Sequence, residues 1–151
     1  MTRARVRSAE QDDVATMVDI LIAGSLTPES ESRDQLDAYW LAIQGVRATG
    51  GDVFVATLDE EVIGVCQVVL FPTIGHSGGL VAEIENVHIR ETHRNGGIGQ
   101  LLIETCEQFA RGHDCYRVQL TSNVVRTDAH RFYGRLGYQV SHVGFKKSLD
   151  H

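Results

Sequence analysis

The chain has 151 residues, of which 42% are hydrophobic, and this length and composition suit one globular domain. Asp and Glu outnumber Lys and Arg by 20 to 14, so the formal net charge is −6, and such a chain is not expected to attract nucleic acid or an anionic membrane. The sequence has no apolar run of membrane-spanning length, and its arginine-rich N-terminus is not followed by the apolar stretch of a signal peptide. We therefore expect one cytoplasmic domain over residues 1–151.

The cysteine and histidine spacing argues against a metal site. Cys66, Cys106 and Cys115 form no C-x-x-C pair, and the seven histidines show no H-x-x-x-H spacing. An odd number of cysteines without such spacing suits a reducing compartment, in which each cysteine behaves as a small buried hydrophobic residue. No metal cofactor is expected.

Two amphipathic helices are predicted after a short β segment at Ala4–Arg7. The first helix has apolar residues at i, i+3, i+4 and i+7, namely Val14, Met17, Val18 and Leu21. The second follows Pro28 and ends before Gly50 and Gly51. Its apolar stripe consists of Leu36, Tyr39, Trp40 and Ile43.

Three β-rich runs come next. Val53–Leu58 and Val62–Leu70 flank a short acidic turn and predict an antiparallel hairpin, and Val81–Ile89 follows a flexible loop at Gly75–Gly79. Strict alternation places Ala82, Ile84, Asn86 and His88 on one face of this third strand. The other face then carries Glu83, Glu85, Val87 and Ile89.

The rest of the chain predicts a helix from Ile98 to Gly112, a strand at Tyr116–Thr121 and a short helix at Asp128–Leu136. Tyr138–Val140 and Val143–Leu149 predict a closing β pair. The expected fold class is α+β, with a mixed, mostly antiparallel central sheet flanked by helices.

The strongest chemical signal is the glycine-rich turn Arg94–Gly99 between a strand and a helix. Its glycines allow backbone N–H groups to face an anion, and the helix N-terminus adds partial positive charge. The turn therefore predicts a diphosphate site, the alternative being a turn that only reverses the chain. No lysine follows as in G-x-x-x-x-G-K-[ST], and the G-x-G-x-x-G spacing is absent, which disfavours nucleoside triphosphates and dinucleotides.

These residues resemble the signature R/Q-x-x-G-x-G/A of the GNAT superfamily of N-acetyltransferases, matched here by Arg94, Gly97 and Gly99. The strand at 82–89 resembles the family's acetyl-CoA strand. Phe132–Tyr138 resembles the family's C-terminal motif F-Y-x-x-x-G-F/Y. The resemblance implies the GNAT (acyl-CoA N-acyltransferase) fold, acetyl-CoA as acyl donor and no metal.

The resemblance also implies the residues that hold acetyl-CoA. The pyrophosphate would lie on the amides of the glycine turn, the pantetheine arm on the backbone of the strand, and an asparagine after the fifth strand would assist. The residues at these positions are Val87, His88, Ile89, Arg94, Asn95, Gly96, Gly97, Ile98, Gly99, Gln100 and Asn123. Asn123 precedes Tyr133 by ten residues, whereas many family members have seven, so its assignment departs from the family pattern.

Two catalytic residues follow from the same resemblance. Tyr133 would donate a proton or hydrogen bond to the departing thiolate, the alternative being a core aromatic. An amine with a pKa of about 10.4 is protonated at neutral pH, so a base must remove its proton. Glu83 is the candidate base, Glu85 or a water chain is the alternative, and a structural ion pair remains open for both carboxylates.

The expected function is transfer of the acetyl group of acetyl-CoA to a primary amine of a small molecule or protein, by direct attack in a ternary complex. The acidic segment after the first helix favours a cationic acceptor, although a solvated acidic helix explains it equally well. Homodimers are common in the family, so a homodimer is expected. Two alternatives are a non-catalytic acyl-CoA-binding sensor module, which would not need Tyr133 or Glu83, and a protein-interaction domain without a cofactor.

Overall fold

The computed structural model describes residues 3–149 and contains the predicted order of elements. The strands are β1 (Arg5–Ser8), β2 (Asp52–Leu58), β3 (Glu61–Pro72), β4 (Leu80–Ile89) and β5 (Arg117–Leu120). The helices are α1 (Val14–Gly24), α2 (Leu36–Ala48), α3 (Ile98–Gly112) and α4 (Thr127–Arg135). Apart from the C-terminal β pair and the start of α2, each predicted strand and helix is confirmed to within a few residues. The second helix was expected to begin at Ser30 or Ser32, but α2 begins at Leu36 after two short 3₁₀ turns.

The strands form one mixed five-stranded sheet in the order β1-β2-β3-β4-β5, flanked by helices. The pairs β1–β2, β2–β3 and β3–β4 are antiparallel. The predicted β2–β3 hairpin turns at Asp59 and Glu60, whose φ angles are 51° and 66°. Positive φ at both central residues matches the right-handed strand twist, so the turn fixes the register of the hairpin. The predicted α+β fold class is confirmed.

The two faces of the sheet are covered by different helices. Val14, Met17 and Val18 of α1 and Ile43 of α2 belong to one buried cluster with residues of β2 and β3. On the other face, the Phe54 and Phe109 rings of β2 and α3 meet edge to face at 5.8 Å. Burying apolar surface on both faces is the main favourable term in the folding of such a layered domain.

The cysteine prediction agrees with the structure for two of the three thiols. Cys66 of β3 and Cys106 of α3 are buried, with their sulfur atoms 3.5 Å apart. The hydrogen bond with Cys106 and the burial both raise the pKa of the Cys66 thiol. Cys115 is partly exposed. All three are free thiols, and Cys66 and Cys106 act as small packing residues between sheet and helix.

The predicted alternation along β4 is wrong beyond Glu85, because the strand contains a β-bulge. Val65 pairs with His88 and Gln67 pairs with Glu85. The two residue steps from Val65 to Gln67 on β3 therefore lie opposite three residue steps from Glu85 to His88 on β4. Asn86 lies in the bulge with φ 54°, a left-handed conformation that asparagine tolerates better than most residues. His88 therefore shares a face with Glu85 and Glu83, and Ile89 turns to the opposite face.

The chain divides into two compact units with the boundary between Gln119 and Leu120. The first unit holds β1 to β4 and α1 to α3. The second contains α4, which ends in a tight turn: Gly137 has φ 95°, and the Tyr138 N–H donates to the Tyr133 carbonyl at 3.0 Å. Glycine suits this left-handed position, which closes the last helical turn.

The predicted β pair at the C-terminus is wrong. Residues 139–149 form no strand, and every one of them is exposed. Val143, Phe145 and Leu149 alternate as in a strand, but within residues 3–149 no neighbouring strand pairs with them. A single strand cannot satisfy its own N–H and C=O groups, so an apolar alternation alone does not produce a ladder.

Within residues 3–149, no helix has the length and apolar character needed to cross a bilayer.

An ion pair joins β1 to the start of α1. Arg7 donates to both carboxylate oxygens of Asp13 at 2.7 and 2.9 Å, and Asp13 also accepts the N–H of Glu10 at 2.7 Å. Asp13 is only 8% exposed. Burial opposes ionisation of Asp13, but the bonds from Arg7 and Glu10 outweigh it and hold the pKa of that carboxyl below its usual range.

We expect Asp13→Asn to lower the free energy of unfolding at neutral pH by about 2 kcal/mol, as for a charge-assisted hydrogen bond. Because the pKa of Asp13 is lowered in the folded state, its contribution is complete above the unfolded value of about 3.9 and disappears as the pH falls through the folded value. Urea unfolding from pH 7 to pH 2 measures this. The exposed neighbour provides the control, Asp12→Asn, and a pH-independent difference between wild type and Asp13→Asn would contradict the account.

Candidate active site

The glycine turn presents a run of free backbone donors at the N-terminus of α3. Asn95 and Gly97 have φ angles of 64° and 84°, which turn the chain sharply before the first helical residue, Ile98. The N–H groups of residues 95–100 donate to no other group of residues 3–149. The first hydrogen bond of the helix is from Leu101 to the Gly97 carbonyl at 3.1 Å. These donors and the helix dipole together suit a phosphate group.

The turn is anchored by packing beneath it. Ile98 is 8% exposed, and a Cβ built on Gly64 of β3 would lie only 3.2 Å from the Ile98 side chain. The same Cβ would lie 3.2 Å from Leu102 and 3.1 Å from Ile89. Gly64 thus lets α3 approach the sheet closely, which fixes the helix N-terminus beside the end of β4.

Arg94 lies next to the donors and is exposed. Its Nε donates to the Ile89 carbonyl at 3.3 Å, so the guanidinium stays near the end of β4 and keeps its other N–H groups available. Arg90 is differently placed, because it forms an ion pair with Glu61. Arg94 is therefore the better placed of these two arginines for an anion at the turn.

The acidic face of β4 is half-buried. Gln119 donates to Glu83 at 3.4 Å, and Glu85 and His88 lie on the same face. A Cβ built on Gly24, the last residue of α1, would lie 2.4 Å from His88 Nδ1. The end of α1 thus approaches the bulge closely. The contact of Gln119 with Glu83 was not indicated by the sequence.

The bulged half of β4 extends past its short neighbour. The Tyr116 N–H donates to the Leu80 carbonyl at 3.0 Å, and Gln119 reaches Glu83, so β5 runs beside the first half of β4 in the same direction. β5 ends as a strand at Leu120, whereas β4 continues to Ile89. Val87 in the bulge also has no partner on β3. This half of β4 is therefore the candidate contact for a ligand.

Asn123 and Tyr133 belong to the second unit. The Asn123 side-chain oxygen accepts the N–H of Val125 at 3.1 Å, and its carbonyl oxygen accepts bonds from Arg126 and His130. This local turn precedes α4 and uses the Asn123 oxygen, leaving its amide nitrogen for other contacts. Tyr133 is half-buried, with its ring 5.2 Å from that of Phe132 and 6.0 Å from that of Tyr138.

The described residues contain no group of three or more His, Cys, Asp or Glu side chains arranged to hold a metal ion. The structure thus brings together in one unit the acidic strand, Arg94 and the turn. Tyr133 and Asn123 lie in the other unit, and their roles at the acetyl group stay predictions.

Comparison with known proteins agrees with this geometry. The acetyltransferase (GNAT) family model matches residues 15–138. The aminoalkylphosphonate N-acetyltransferase of Salmonella typhimurium is 36% identical over 74 residues, about half of either protein (49% of this chain and 48% of that one). The glucosamine 6-phosphate N-acetyltransferase of Trypanosoma brucei brucei is 27% identical over 138 residues, covering 89% of this chain and 88% of that protein.

A solved structure from Bacillus halodurans C-125, described as a transcriptional regulator, superimposes with a TM-score of 0.90. It is 30% identical and covers 97% of this chain and 100% of its own. The family match spans the acidic strand, the glycine turn and the Phe-Tyr motif alike. With the fold and the turn already described, it follows that this chain belongs to the GNAT family of acetyltransferases.

Proposed function

We propose that the chain is an acetyl-CoA-dependent N-acetyltransferase that acts on a primary amine of a small molecule or protein. The observation that carries the proposal is the run of six free N–H donors at residues 95–100, which fits the diphosphate of coenzyme A. Arg94 adds a cation beside it. We further propose that the bulged strand, at Val87, His88 and Ile89, holds the pantetheine arm, with Asn123 contributing its amide.

The chemistry divides between two side chains. Acetyl-CoA supplies an activated acetyl thioester. The Glu83 carboxylate accepts a proton from the incoming ammonium, directly or through water, because only the neutral amine can attack. The Tyr133 hydroxyl donates to the sulfur, which leaves more easily as a thiol than as a free thiolate. Both reactants are bound together, so no covalent intermediate on the protein is required.

The backbone of the bulge suits a further task. Developing negative charge on the acetyl oxygen is stabilised by N–H donors that are already oriented before reaction. Val87 is the candidate, because the bulge leaves it out of the β3 ladder. Glu85 lies on the same face as Glu83 and remains the alternative base.

We expect Glu83→Gln to reduce kcat at pH 7 by about 10²-fold and the deficit to shrink as the pH approaches the amine pKa of about 10.4. The amide keeps the bond from Gln119 but accepts no proton. Release of free coenzyme A, followed from pH 6 to pH 10 with a panel of amines, measures this and tests the proposed activity. A loss of equal size at every pH would argue against proton removal by Glu83. The matched variant Glu85→Gln, assayed in the same way, tests whether Glu85 is the base.

A non-catalytic acyl-CoA-binding module is the second candidate, and the Bacillus halodurans structure described as a regulator favours it. Such a module would bind acetyl-CoA without releasing free coenzyme A in the presence of any amine. The coenzyme A release assay separates the two functions, whereas equilibrium binding alone does not.

We also propose a homodimer. Val140, Val143, Phe145 and Leu149 are 74–96% exposed, and exposed apolar side chains clustered in one segment favour association. Residues 120–151 carry five Lys and Arg against two Asp and Glu, whereas residues 1–119 carry nine against eighteen, so each copy offers the other a surface of opposite charge. A second copy is always available in solution.

Light scattering during gel filtration should give a molar mass of twice that of one chain. The Phe145→Lys variant should have a lower molar mass, closer to that of one chain. A wild-type protein with the mass of one chain at micromolar concentration would contradict the dimer. Circular dichroism checks that Phe145→Lys keeps its helices.

We also propose that the chain works as one domain in the cytoplasm. Residues 1–151 form one functional domain, because the family match crosses the boundary between the two units. The three free thiols suit the reducing cytoplasm.

A further inference from the structure

A cavity of about 250 Å³ lies within the first unit, between α1, α2 and the sheet. Its walls are mainly aliphatic side chains from all three elements. They include Val14, Met17, Leu21, Ile43, Val46 and Val65. An apolar cavity of ~150 Å³ can hold a benzene ring, so this one has room for a ring with a short chain.

One end of the cavity is polar. The Tyr39 hydroxyl donates to Glu31 Oε2 at 2.7 Å and accepts the Ser32 N–H at 2.9 Å. Tyr39 uses its only proton in this bond, so it fixes the carboxylate without neutralising it. Within residues 3–149, no Lys, Arg or His forms a salt bridge with Glu31. Glu31 therefore offers a charged oxygen to a ligand cation.

The bulge of β4 contributes a second polar part of the cavity wall. Asn86 Nδ2 donates to Gln67 Oε1 at 3.3 Å, and both residues line the cavity. Val87, the proposed partner of the thioester, is the next residue in the chain. Asn86 and Ala42 are exposed, so the cavity reaches the surface. The wall of the cavity thus includes a residue of the strand proposed to hold the acetyl group.

The charges around this end disfavour an anionic ligand. The segment 29–37 carries four acidic residues against Arg33, and Arg33 pairs with Asp19 at 3.3 Å. The two named relatives act on amines that carry a phosphonate or a phosphate. A second negative group on the acceptor would be repelled here.

Resting on the proposed function, we propose that this cavity selects the acceptor: it receives the apolar body of an aralkyl or branched alkyl primary amine, whose ammonium lies beside Glu31. The apolar walls bind the hydrocarbon part, and Glu31, fixed by Tyr39, binds the ammonium. Phosphorylated and phosphonylated amines are poor acceptors. The burial that raises the pKa of Tyr39, together with the bond to Glu31, is consistent with a hydroxyl that stays protonated as a donor.

The first experiment compares acceptors by the release of free coenzyme A. We expect kcat/KM for 2-phenylethylamine to exceed that for 2-aminoethylphosphonate and for glucosamine 6-phosphate by at least about 100-fold. Equal or better turnover of either anionic amine would overturn the inference while leaving the acetyltransferase proposal intact.

The second experiment fills the cavity. Ala42→Phe replaces an exposed residue at the cavity wall, and Ala38→Phe makes the same change one helical turn earlier, where Ala38 is exposed and does not line the cavity. Ala42→Phe should raise the KM for 2-phenylethylamine by at least about tenfold and the KM for the smaller ethylamine by much less. Ala38→Phe should change neither value, and an unchanged KM for 2-phenylethylamine in Ala42→Phe would overturn the inference.

The third experiment needs no turnover. Calorimetry of the protein alone should show binding of 2-phenylethylamine that Glu31→Gln weakens by about tenfold, whereas binding of the uncharged 2-phenylethanol should be unchanged by Glu31→Gln. The glutamine keeps an acceptor for Tyr39 and loses only the charge. If these differences appear but no amine releases coenzyme A, the acceptor site stands and the proposed activity fails. If 2-phenylethylamine does not bind, the acceptor site is wrong.

Discussion

Replacing Tyr133 with phenylalanine should lower kcat by about 10²- to 10⁴-fold, the usual contribution of a positioned general acid. Phenylalanine keeps the ring that packs near Phe132 and Tyr138 and removes only the hydroxyl. The proton for the departing sulfur must then come from water. Because the cofactor contacts are unaffected, the KM for acetyl-CoA should change little, and pre-steady-state release of coenzyme A measures the slowed step.

Tyr138→Phe is the matched control for this variant. Tyr138 lies in the same unit, its ring is 6.0 Å from that of Tyr133, and the family motif accepts phenylalanine at its position. We expect its kcat to remain within a factor of two of wild type. Full turnover by Tyr133→Phe would remove Tyr133 from the chemistry and favour a packing role.

Gly97→Ala should raise the dissociation constant of acetyl-CoA by about tenfold. Gly97 has φ 84°, and an L-residue held in that region costs about 1–2 kcal/mol. A Cβ there would meet no atom within 4 Å, so the substitution acts through the backbone and not through a clash. Without ligand, the turn of the alanine variant relaxes, and it must regain the donor arrangement when acetyl-CoA binds. A free-energy cost of about 1.4 kcal/mol corresponds to a tenfold increase in the dissociation constant.

Gly78→Ala separates local strain from the ligand. Gly78 lies in the loop between β3 and β4, has φ 77°, and likewise has no neighbour within 4 Å of a built Cβ. Both variants should lose similar thermal stability, but only Gly97→Ala should bind acetyl-CoA more weakly. Equal affinities in calorimetry would show that the conformation of the turn is irrelevant to the cofactor.

The sequence was sufficient for the elements whose signal is local. The i, i+3, i+4, i+7 spacing from Val14 gives α1, and the acidic turn before Val62 gives the hairpin, because each pattern matches the period of the structure it forms. The turn at Gly97 was likewise predictable, since its glycines lie between a strand and a helix. Its free N–H donors follow from its place at a helix N-terminus.

Features that depend on packing between distant segments were not predictable. The alternation rule assumes an unbroken ladder, so the bulge at Asn86 moved His88 to the face of Glu83 and Ile89 away from it. Phe145 and its apolar neighbours follow a strand pattern, but pairing needs a partner that the alternation does not specify. The cavity beside Tyr39 arises from how two helices lie on the sheet, which no local pattern encodes.

Titration of ¹⁵N-labelled protein with coenzyme A, followed residue by residue through its backbone amides, tests the central claim most directly. The account predicts that the amides of residues 95–100 shift first and most, with a common saturation curve, because their N–H groups bond to the diphosphate. In the Gly97→Ala variant, these shifts should need a higher concentration of coenzyme A to reach half-saturation. Saturating shifts elsewhere with residues 95–100 unmoved, or no shifts at millimolar coenzyme A, would contradict it.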